Sequence, residues 1–230
     1  MKDRLQEIFD KQADYLKSLE PIYRATGFPE RTHWPMAIDG RHCQEQFRLL
    51  AWRINEEVYE ALKEWEKGVE CDVSAYREEV ADVMHFFVEL ALFCGITTVE
   101  FATGGERELL SDEDYLAVSF KRVQYYPNRM EGREAWGAYL TGLAELMMCF
   151  RQRPWRTDVR PTDFEKVKFH FGILWFSFCA ACVATGIGAA TLYSHYFAKS
   201  VINEERRDSN MPSEEEPLPS DNVSGCEHCG

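Results

Sequence analysis

The sequence has little positive charge and few glycines or prolines. Lys and Arg number 26 against 39 Asp and Glu, which gives a formal net charge of −13 at pH 7. Nucleic-acid binding needs clustered Lys and Arg for the phosphates, so we expect no nucleic-acid partner. The 14 glycines and 9 prolines are widely spaced, and the apolar residues recur at helical intervals. This pattern predicts an all-α protein, and the 45% hydrophobic content is enough for one sizeable core.

Targeting segments and long apolar runs are also scarce. The chain begins MKDRLQEIFD, which is not typical of a signal peptide, and we expect a cytoplasmic protein with no membrane partner. The run from Phe171 to Ala190 approaches the length of a membrane span, but Lys168 and His170 before it favour a buried core helix. Four of the eight cysteines lie in apolar helical segments, where we predict small core residues without disulfides: Cys94, Cys149, Cys179 and Cys182.

Apolar stripes and helix breakers predict the order of the helices. We predict long helices over residues 3–19, 43–67, 72–94, 131–150, 162–185 and 189–206, with shorter ones after 98 and between 112 and 123. The polar, acidic and proline-rich end of the chain is typical of disorder. It contains Cys226, His228 and Cys229, which have the spacing of half a zinc site and are incomplete without a second pair.

Two pairs of carboxylates stand out within residues 54–95. Glu57 and Glu60 are three residues apart on one predicted helix, and Glu79 and Asp82 are three apart on the next. Residues at this spacing share a helix face, and the pairs lie at nearly equal distances from the turn between the helices. An antiparallel hairpin would therefore bring four carboxylates to one level. They cannot all stay ionised there without a cation, and Mg²⁺ is the natural partner.

A different interpretation of these pairs is two amphipathic helices with solvated acidic faces. Acidic pairs at this spacing are common on exposed helices. However, Glu79 and Asp82 are embedded in the very apolar run VADVMHFFVELAL, where a charged side chain should face a group that needs it. Spacing alone leaves both interpretations open.

The same residues carry a resemblance to a known family. The pattern EExxE followed by ExxD resembles the all-α nucleoside triphosphate pyrophosphatase superfamily, which includes MazG-type enzymes and the dimeric dUTPases. The run EEVADVMHFFVELAL is similar to the E-x-x-D-x-x-H-F segment of the dimeric dUTPase and dCTPase/dUTPase branch, with Glu79, Asp82, His85 and Phe86 in place. Trp65, shortly after the first pair, is also like that branch.

A second motif near the C-terminus supports the resemblance. The branch ends its last helix with Y-x-x-K-x-x-x-N-x-x-R-x-D and then Gly-Tyr, and the chain reads YFAKSVINEERRDSN. The matching residues are Tyr196, Lys199, Asn203, Arg206 and Asp208. Asn210 and Met211 stand in place of the Gly-Tyr. Lys199, Asn203 and Arg206 fall on one helical stripe, although alone the segment would be explained as a basic helix end that complements its dipole.

The resemblance implies an architecture with defined boundaries. It predicts a helical bundle around the metal-binding hairpin, with residues 1–103 and 188–207 as the catalytic core. Residues 104–187 would be an inserted helical lobe, and residues 208–230 a disordered acidic tail. It also implies a homodimer.

The resemblance further implies an enzyme that hydrolyses a deoxynucleoside triphosphate, dUTP or dCTP, to the monophosphate and pyrophosphate. Two or more Mg²⁺ ions would be held by the four carboxylates: Glu57, Glu60, Glu79 and Asp82. Glu56 would be a general base or would orient the ligands. Substrate contacts would come from His85, near the sugar or the metal, and from the C-terminal motif: Tyr196, Lys199, Asn203 and Arg206.

The residues that would recognise the base form an incomplete set. In the branch, a Gln on the first helix contacts the nucleobase and an Asn follows four residues later. Gln12 fits the first position, but Leu16 stands at the second. Trp34 is the candidate for stacking on the base. Equally good explanations are an exposed Gln and a loop aromatic that packs on the core.

Two other functions remain open from the sequence. One is a MazG-like house-cleaning pyrophosphatase with a broad base range, which the missing Gly-Tyr and Leu16 allow. The other is a helical nucleotide- or protein-binding module that keeps the scaffold without catalysis. Retention of four carboxylates together with Lys199 and Arg206 argues against this second function.

Overall fold

The computed structural model describes residues 3–21, 38–104, 114–125, 130–150 and 161–210. In these ranges the chain forms α-helices and one short 3₁₀ turn, and no strand. The helices are α1 (Arg4–Ser18), α2 (Arg41–Trp65), α3 (Val73–Phe93), α4 (Thr98–Thr103), α5 (Tyr115–Gln124), α6 (Gly132–Cys149), α7 (Phe164–Ala184) and α8 (Ala189–Asn210). The predicted all-α fold is confirmed.

The predicted helical hairpin is formed by α2 and α3, which pack against each other along their length. A 3₁₀ turn over Gly68–Glu70 joins them. The carboxylate of Asp72 caps α3 by accepting hydrogen bonds from the backbone N–H groups of Ser74 and Ala75, at 2.9 and 3.2 Å. Gly95, with φ of +69°, follows the end of α3 in a left-handed conformation that glycine adopts without strain.

Helix α3 lies at the centre of the bundle, since α1, α2 and α8 all pack against it. Its apolar positions are fully buried, among them Val80, Val83, Met84 and Phe87. A helix this apolar leaves few places for charge. This packing brings the N-terminal half of α3 between the two helices that carry the remaining predicted site residues.

Helices α5, α6 and α7 belong to the segment 104–187 and share the core of the hairpin. The ring of Phe87 lies 5.8 Å from those of Tyr139 and Phe171. The hydroxyl of Tyr76 on α3 donates to Thr185 at 2.6 Å and accepts from the indole N–H of Trp136 at 3.2 Å. The division into catalytic core and insertion stays a prediction.

Helix α7 is the one helix in the described ranges that is long and apolar enough, by length and composition, to cross a membrane. One face of it is buried against the other helices, whereas Phe169 and Ile173 are exposed; the buried residues are Phe171, Leu174, Trp175, Phe178, Cys179 and Cys182. Its backbone approaches α4 so closely that a Cβ at Gly172 would lie 2.4 Å from the backbone of Gly104. Only glycine at position 172 permits this helix crossing.

Some sequence predictions fall at or beyond the limits of the described chain. Helix α8 continues to Asn210, one turn past the predicted end at Arg206, so 208–210 are helical and not part of a disordered tail. The remainder of that tail, with Cys226, His228 and Cys229, lies outside the described residues, and so does Trp34.

Candidate metal centre

Three carboxylates from the two arms of the hairpin meet near the middle of α2. One oxygen of each of Glu57, Glu79 and Asp82 lies within 4.8 Å of the others. All three side chains are partly buried. The mirrored spacing in the sequence has this geometric result because α2 and α3 are antiparallel and joined by a short turn.

Burial raises the pKa values of these carboxylates, and crowding adds to the effect at Glu57 and Glu79. Burial, and then the charges of Asp82, Glu79 and Glu60, raises the pKa of Glu57 to about 8. Burial and the neighbouring carboxylates also raise the pKa of Glu79, and burial raises the pKa of Asp82. Glu57 and Glu79 are within hydrogen-bonding reach of each other, so the metal-free pair retains a proton at neutral pH.

Glu60 and Glu56 lie at the edge of this cluster. Glu60 is exposed and its charge adds to the repulsion at Glu57 and Glu79, although it is not one of the three converging residues. Glu56 accepts a hydrogen bond from Arg53 at 3.1 Å, one turn earlier on the same helix. Glu60 therefore adds charge to the cluster, whereas the described contact of Glu56 is with Arg53.

Lys199 on α8 supplies a positive charge to the cluster. Its Nζ lies 2.7 Å from Oδ2 of Asp82 and 2.6 Å from Oε1 of Glu78, and its side chain is only 8% exposed. Lys199 lowers the pKa of Asp82 against the larger effect of burial. Two more residues of the predicted stripe, Asn203 and Arg206, follow on the same helix, and the charge of Arg206 also favours ionised Asp82.

One turn further along α3, His85 takes part in a buried polar network. Its Nδ1 lies 2.8 Å from Oε1 of Gln12, and its Nε2 lies 3.3 Å from the backbone oxygen of Tyr196. The Tyr196 hydroxyl donates to the same Gln12 oxygen at 2.9 Å, and the two rings stack with centroids 4.0 Å apart. Burial lowers the pKa of His85 to about 3, so the imidazole is neutral.

This network places Gln12 differently from the substrate-facing position that the sequence suggested. Its side chain is 2% exposed, and its oxygen is occupied by His85 and Tyr196. These contacts connect α1, α3 and α8 behind the carboxylates. A function of Gln12 in base recognition stays a prediction.

A family model described as dUTPase matches residues 37–211. The chain belongs to the dUTPase family. A search of the curated proteins and a search of the solved structures each find no match. The match to the dUTPase family spans residues 104–187 and contains the three converging carboxylates and the whole C-terminal motif. Gln12 and Trp34 precede it.

The donor set of this dUTPase family member suits a hard divalent cation. Glu57, Glu79 and Asp82 offer only carboxylate oxygens, which are the ligands that Mg²⁺ prefers, and they come from two rigid helices. A divalent ion would also compensate the mutual repulsion that, after burial, contributes to the raised pKa values of Glu57 and Glu79. The residues present therefore fit a Mg²⁺ site.

Sequence reasoning missed Glu78, which is the second partner of Lys199. Its spacing of four residues from Asp82 indicates a shared face of α3. The spacing alone does not identify Lys199 as the partner, because that contact depends on how α8 packs on this face. Trp65, noted as typical of the branch, lies against α6, where a Cβ at Gly132 would be 2.8 Å from its ring.

Proposed function

We propose that this protein hydrolyses dUTP or dCTP to the monophosphate and pyrophosphate in a Mg²⁺-dependent reaction. The observation that carries the proposal is the convergence of Glu57, Glu79 and Asp82 within the span of the dUTPase family match. Membership of this family supports nucleotide hydrolysis, and the crowded carboxylates support a bound cation. The identity of the base and the requirement for Mg²⁺ are both part of the proposal.

The four acidic residues of the hairpin would hold two or more Mg²⁺ ions: Glu57, Glu60, Glu79 and Asp82. When bound, Mg²⁺ polarises phosphate oxygens and lowers the pKa of a coordinated water. The proton retained by the Glu57–Glu79 pair must leave before both carboxylates can serve as ligands, so binding releases a proton. Partial burial strengthens the electrostatic attraction of the pair for a cation.

Glu56 would act beside the ligands as the general base, or would orient them. It follows Asn55 on α2 directly before Glu57, and Arg53 holds its carboxylate. In the reaction, the water oxygen bonds to the α-phosphorus and the bond from that phosphorus to the bridging oxygen breaks. The electron pair leaves with pyrophosphate, and the proton of the water passes to Glu56.

The stripe on α8 would bind the triphosphate chain. Lys199, Asn203 and Arg206 are spaced at i, i+4 and i+7, so they lie on one side of the helix. Their N–H donors would hold the β- and γ-phosphates and offset the charge of the departing pyrophosphate. His85 and Tyr196 would support the sugar end, and Gln12 and Trp34 would be the contacts to the base.

The test is a panel of nucleotides incubated with the purified protein and Mg²⁺. We expect pyrophosphate and monophosphate as products, with dUTP or dCTP preferred over the other nucleotides. In ¹⁸O-labelled water, attack at the α-phosphorus puts the label in the monophosphate. Release of orthophosphate instead, or label in the pyrophosphate, would contradict this mechanism. Loss of turnover in the presence of a chelator would support the metal requirement.

A broad-range MazG-like pyrophosphatase is the second candidate. It is favoured by one observation: the Gln12 amide oxygen, proposed to read the base, is occupied by His85 and Tyr196. This candidate predicts similar kcat/KM values for purine and pyrimidine substrates. A panel without any turnover, combined with no Mg²⁺-dependent nucleotide binding by calorimetry, would leave the non-catalytic binding module.

The proposal also includes a cytoplasmic homodimer in which the segment 104–187 is an insertion to the catalytic core. Its cellular function would be to remove unwanted deoxynucleotides or to supply dUMP or another monophosphate for pyrimidine synthesis. Sedimentation of the purified protein decides the oligomeric state, and a monomer at micromolar concentration would contradict it.

A further inference from the structure

The contacts of Lys199 define an arrangement that extends beyond the metal ligands. Its ammonium bridges two carboxylates of α3, Glu78 at 2.6 Å and Asp82 at 2.7 Å. The two acids differ in their surroundings, because the side chain of Glu78 is 45% exposed and that of Asp82 is 15% exposed. Asp82 belongs to the converging cluster, whereas Glu78 does not.

The geometry of an ammonium group limits what Lys199 can do in this position. A lysine has three N–H donors in a tetrahedral arrangement and no acceptor. Glu78 and Asp82 take two of these donors, so the direction of the third is fixed. With Asp82 alone as partner, the ammonium could rotate about that single contact and the third donor would sample many directions.

We propose that Glu78 is a positioning residue: it holds the Lys199 ammonium beside Asp82 and directs the remaining N–H of Lys199 toward a substrate phosphate. The phosphate contact rests on the proposed function, whereas the effect on the carboxylate cluster follows from the ion pairs alone. Glu78 shares the attraction of Lys199, so that this cation does not compete at full strength with Mg²⁺ for Asp82.

The proposal predicts that substitutions at Glu78 and at Lys199 change Mg²⁺ binding in opposite directions. In Glu78→Gln, Lys199 keeps Asp82 as its one charged partner and a negative charge near the cluster is lost. Mg²⁺ binding without nucleotide should weaken by about tenfold, as is usual for residues that orient metal ligands. In Lys199→Met, a competing cation is removed, so Mg²⁺ binding should strengthen while the KM for dUTP rises.

A second ion pair between helices provides a matched control. Lys11 and Glu204 join α1 to α8 at 2.7 Å, with side chains 29% and 31% exposed, and neither has been placed in the site. Glu204→Gln therefore removes one carboxylate from a comparable lysine pair on α8. Thermal melting of both Gln variants measures how much each pair stabilises the helix packing. A purely structural function of Glu78 predicts that the two variants behave alike in every other measurement.

The experiment titrates Mg²⁺ into each metal-free protein by calorimetry at a pH above the Glu57 pKa of about 8, where protons compete little. Steady-state kinetics with dUTP then separates KM from kcat. We expect Glu78→Gln to raise the Mg²⁺ Kd and the KM several-fold with a smaller change in kcat, and Glu204→Gln to change none of them.

Two results would overturn the inference. One is an equal weakening of Mg²⁺ binding in Glu78→Gln and Lys199→Met, which indicates general loosening of the cluster. The other is a Glu78→Gln variant that matches Glu204→Gln in Mg²⁺ Kd and KM. If the wild-type protein hydrolyses no nucleotide, the proposed function fails, but the Mg²⁺ titrations still decide how Glu78 acts on the cluster. A wild-type protein that binds no Mg²⁺ overturns the inference as well.

Discussion

The polar side chains on two neighbouring turns of α3 have different surroundings. On the turn with Glu79 and Asp82, burial raises the pKa values of both carboxylates; repulsion from neighbouring carboxylates adds to the shift at Glu79, and Lys199 opposes the shift at Asp82. On the next turn, His85 faces the side-chain oxygen of Gln12 and the backbone oxygen of Tyr196 in a fully buried setting. Both turns are parts of one rigid helix, so their different chemistry comes from what α1, α2 and α8 present to them.

The difference separates carboxylates that need a cation or protons from buried polar groups that already contact other polar groups of the protein. A buried polar network with partners stabilises the fold and fixes the relative positions of helices. A cluster of like charges destabilises the folded protein until a cation or protons neutralise it. We therefore attribute cation binding to the carboxylates, and we expect the network with His85 to position helices α1, α3 and α8 in addition to its proposed contacts with the sugar and the base.

The largest effect should come from Glu79→Gln, which removes a carboxylate from the cluster. Turnover should fall by at least about a hundredfold, since even outer-shell partners of a metal contribute that much. The metal-free variant should melt higher than wild type, because one repelling charge is gone. Kinetics with dUTP and melting in a chelator measure both, and Glu205→Gln, an exposed residue of α8, is the control. Retained turnover would remove Glu79 from the metal site.

The next largest effect should come from Gln12→Met, which keeps the side-chain length and removes the amide. The buried His85 ring and Tyr196 hydroxyl then lose a shared partner, which should lower the free energy of unfolding by about 2 kcal/mol. Urea denaturation measures the loss, and Gln124→Met, at an exposed position, is the control. A rise in KM for dUTP but not for dCTP, without loss of stability, would show that the amide reads the base instead.

The pH dependence of stability tests the carboxylate cluster itself. Between the ordinary glutamate pKa of 4.5 and the raised value of about 8, folded Glu57 binds a proton that the unfolded chain releases. The free energy of unfolding of the metal-free protein should therefore fall as pH rises through this window. Because Glu57 is partly exposed, we expect a total of about 1–2 kcal/mol.

Melting curves in a chelator across this pH range measure that slope, and Glu57→Gln should flatten it. Added Mg²⁺ should raise the melting temperature more at the alkaline end, because the ion binds the deprotonated carboxylates. A slope of the opposite sign in the metal-free protein would contradict the crowding of these residues.

The smallest effect should come from Tyr196→Phe, which removes one hydroxyl from the network and preserves the ring stack on His85. The expected loss is about 1 kcal/mol of unfolding free energy, typical of one buried hydrogen bond. The kcat for dUTP should stay close to that of wild type, because the network positions helices and does not touch the reacting atoms. A large loss of kcat with unchanged stability would move Tyr196 into the catalytic machinery.

Local sequence rules were sufficient for the hairpin. The spacing of Glu57 and Glu79 about a short turn can be read from the sequence, and the structure brings these two carboxylates together as the pattern predicts. The end of α8 was less predictable. Nothing in the residues after Arg206 breaks a helix before Pro212, and the helix continues to Asn210.

Contacts between distant segments could not be derived in this way. The ion pair between Lys199 and Glu78 depends on the rotation of α8 about its axis, and the burial of Gln12 depends on the rotation of α1. A rotation of one residue position turns a side chain by about 100°, which is enough to change a solvent-facing group into a core group. Periodicity identifies the apolar stripe of a helix but does not fix the partner of a polar residue at its border.

The backbone contact between Gly172 and Gly104 has a consequence for how this fold can vary among its relatives. At that crossing the distance between α7 and α4 is set by main-chain atoms and not by the shapes of side chains. Substitutions on the outer surface of α7 can therefore accumulate without displacing the helix. A single added methyl group at position 172 would push the two helices apart, so the freedom of this segment to change its surface depends on keeping two glycines.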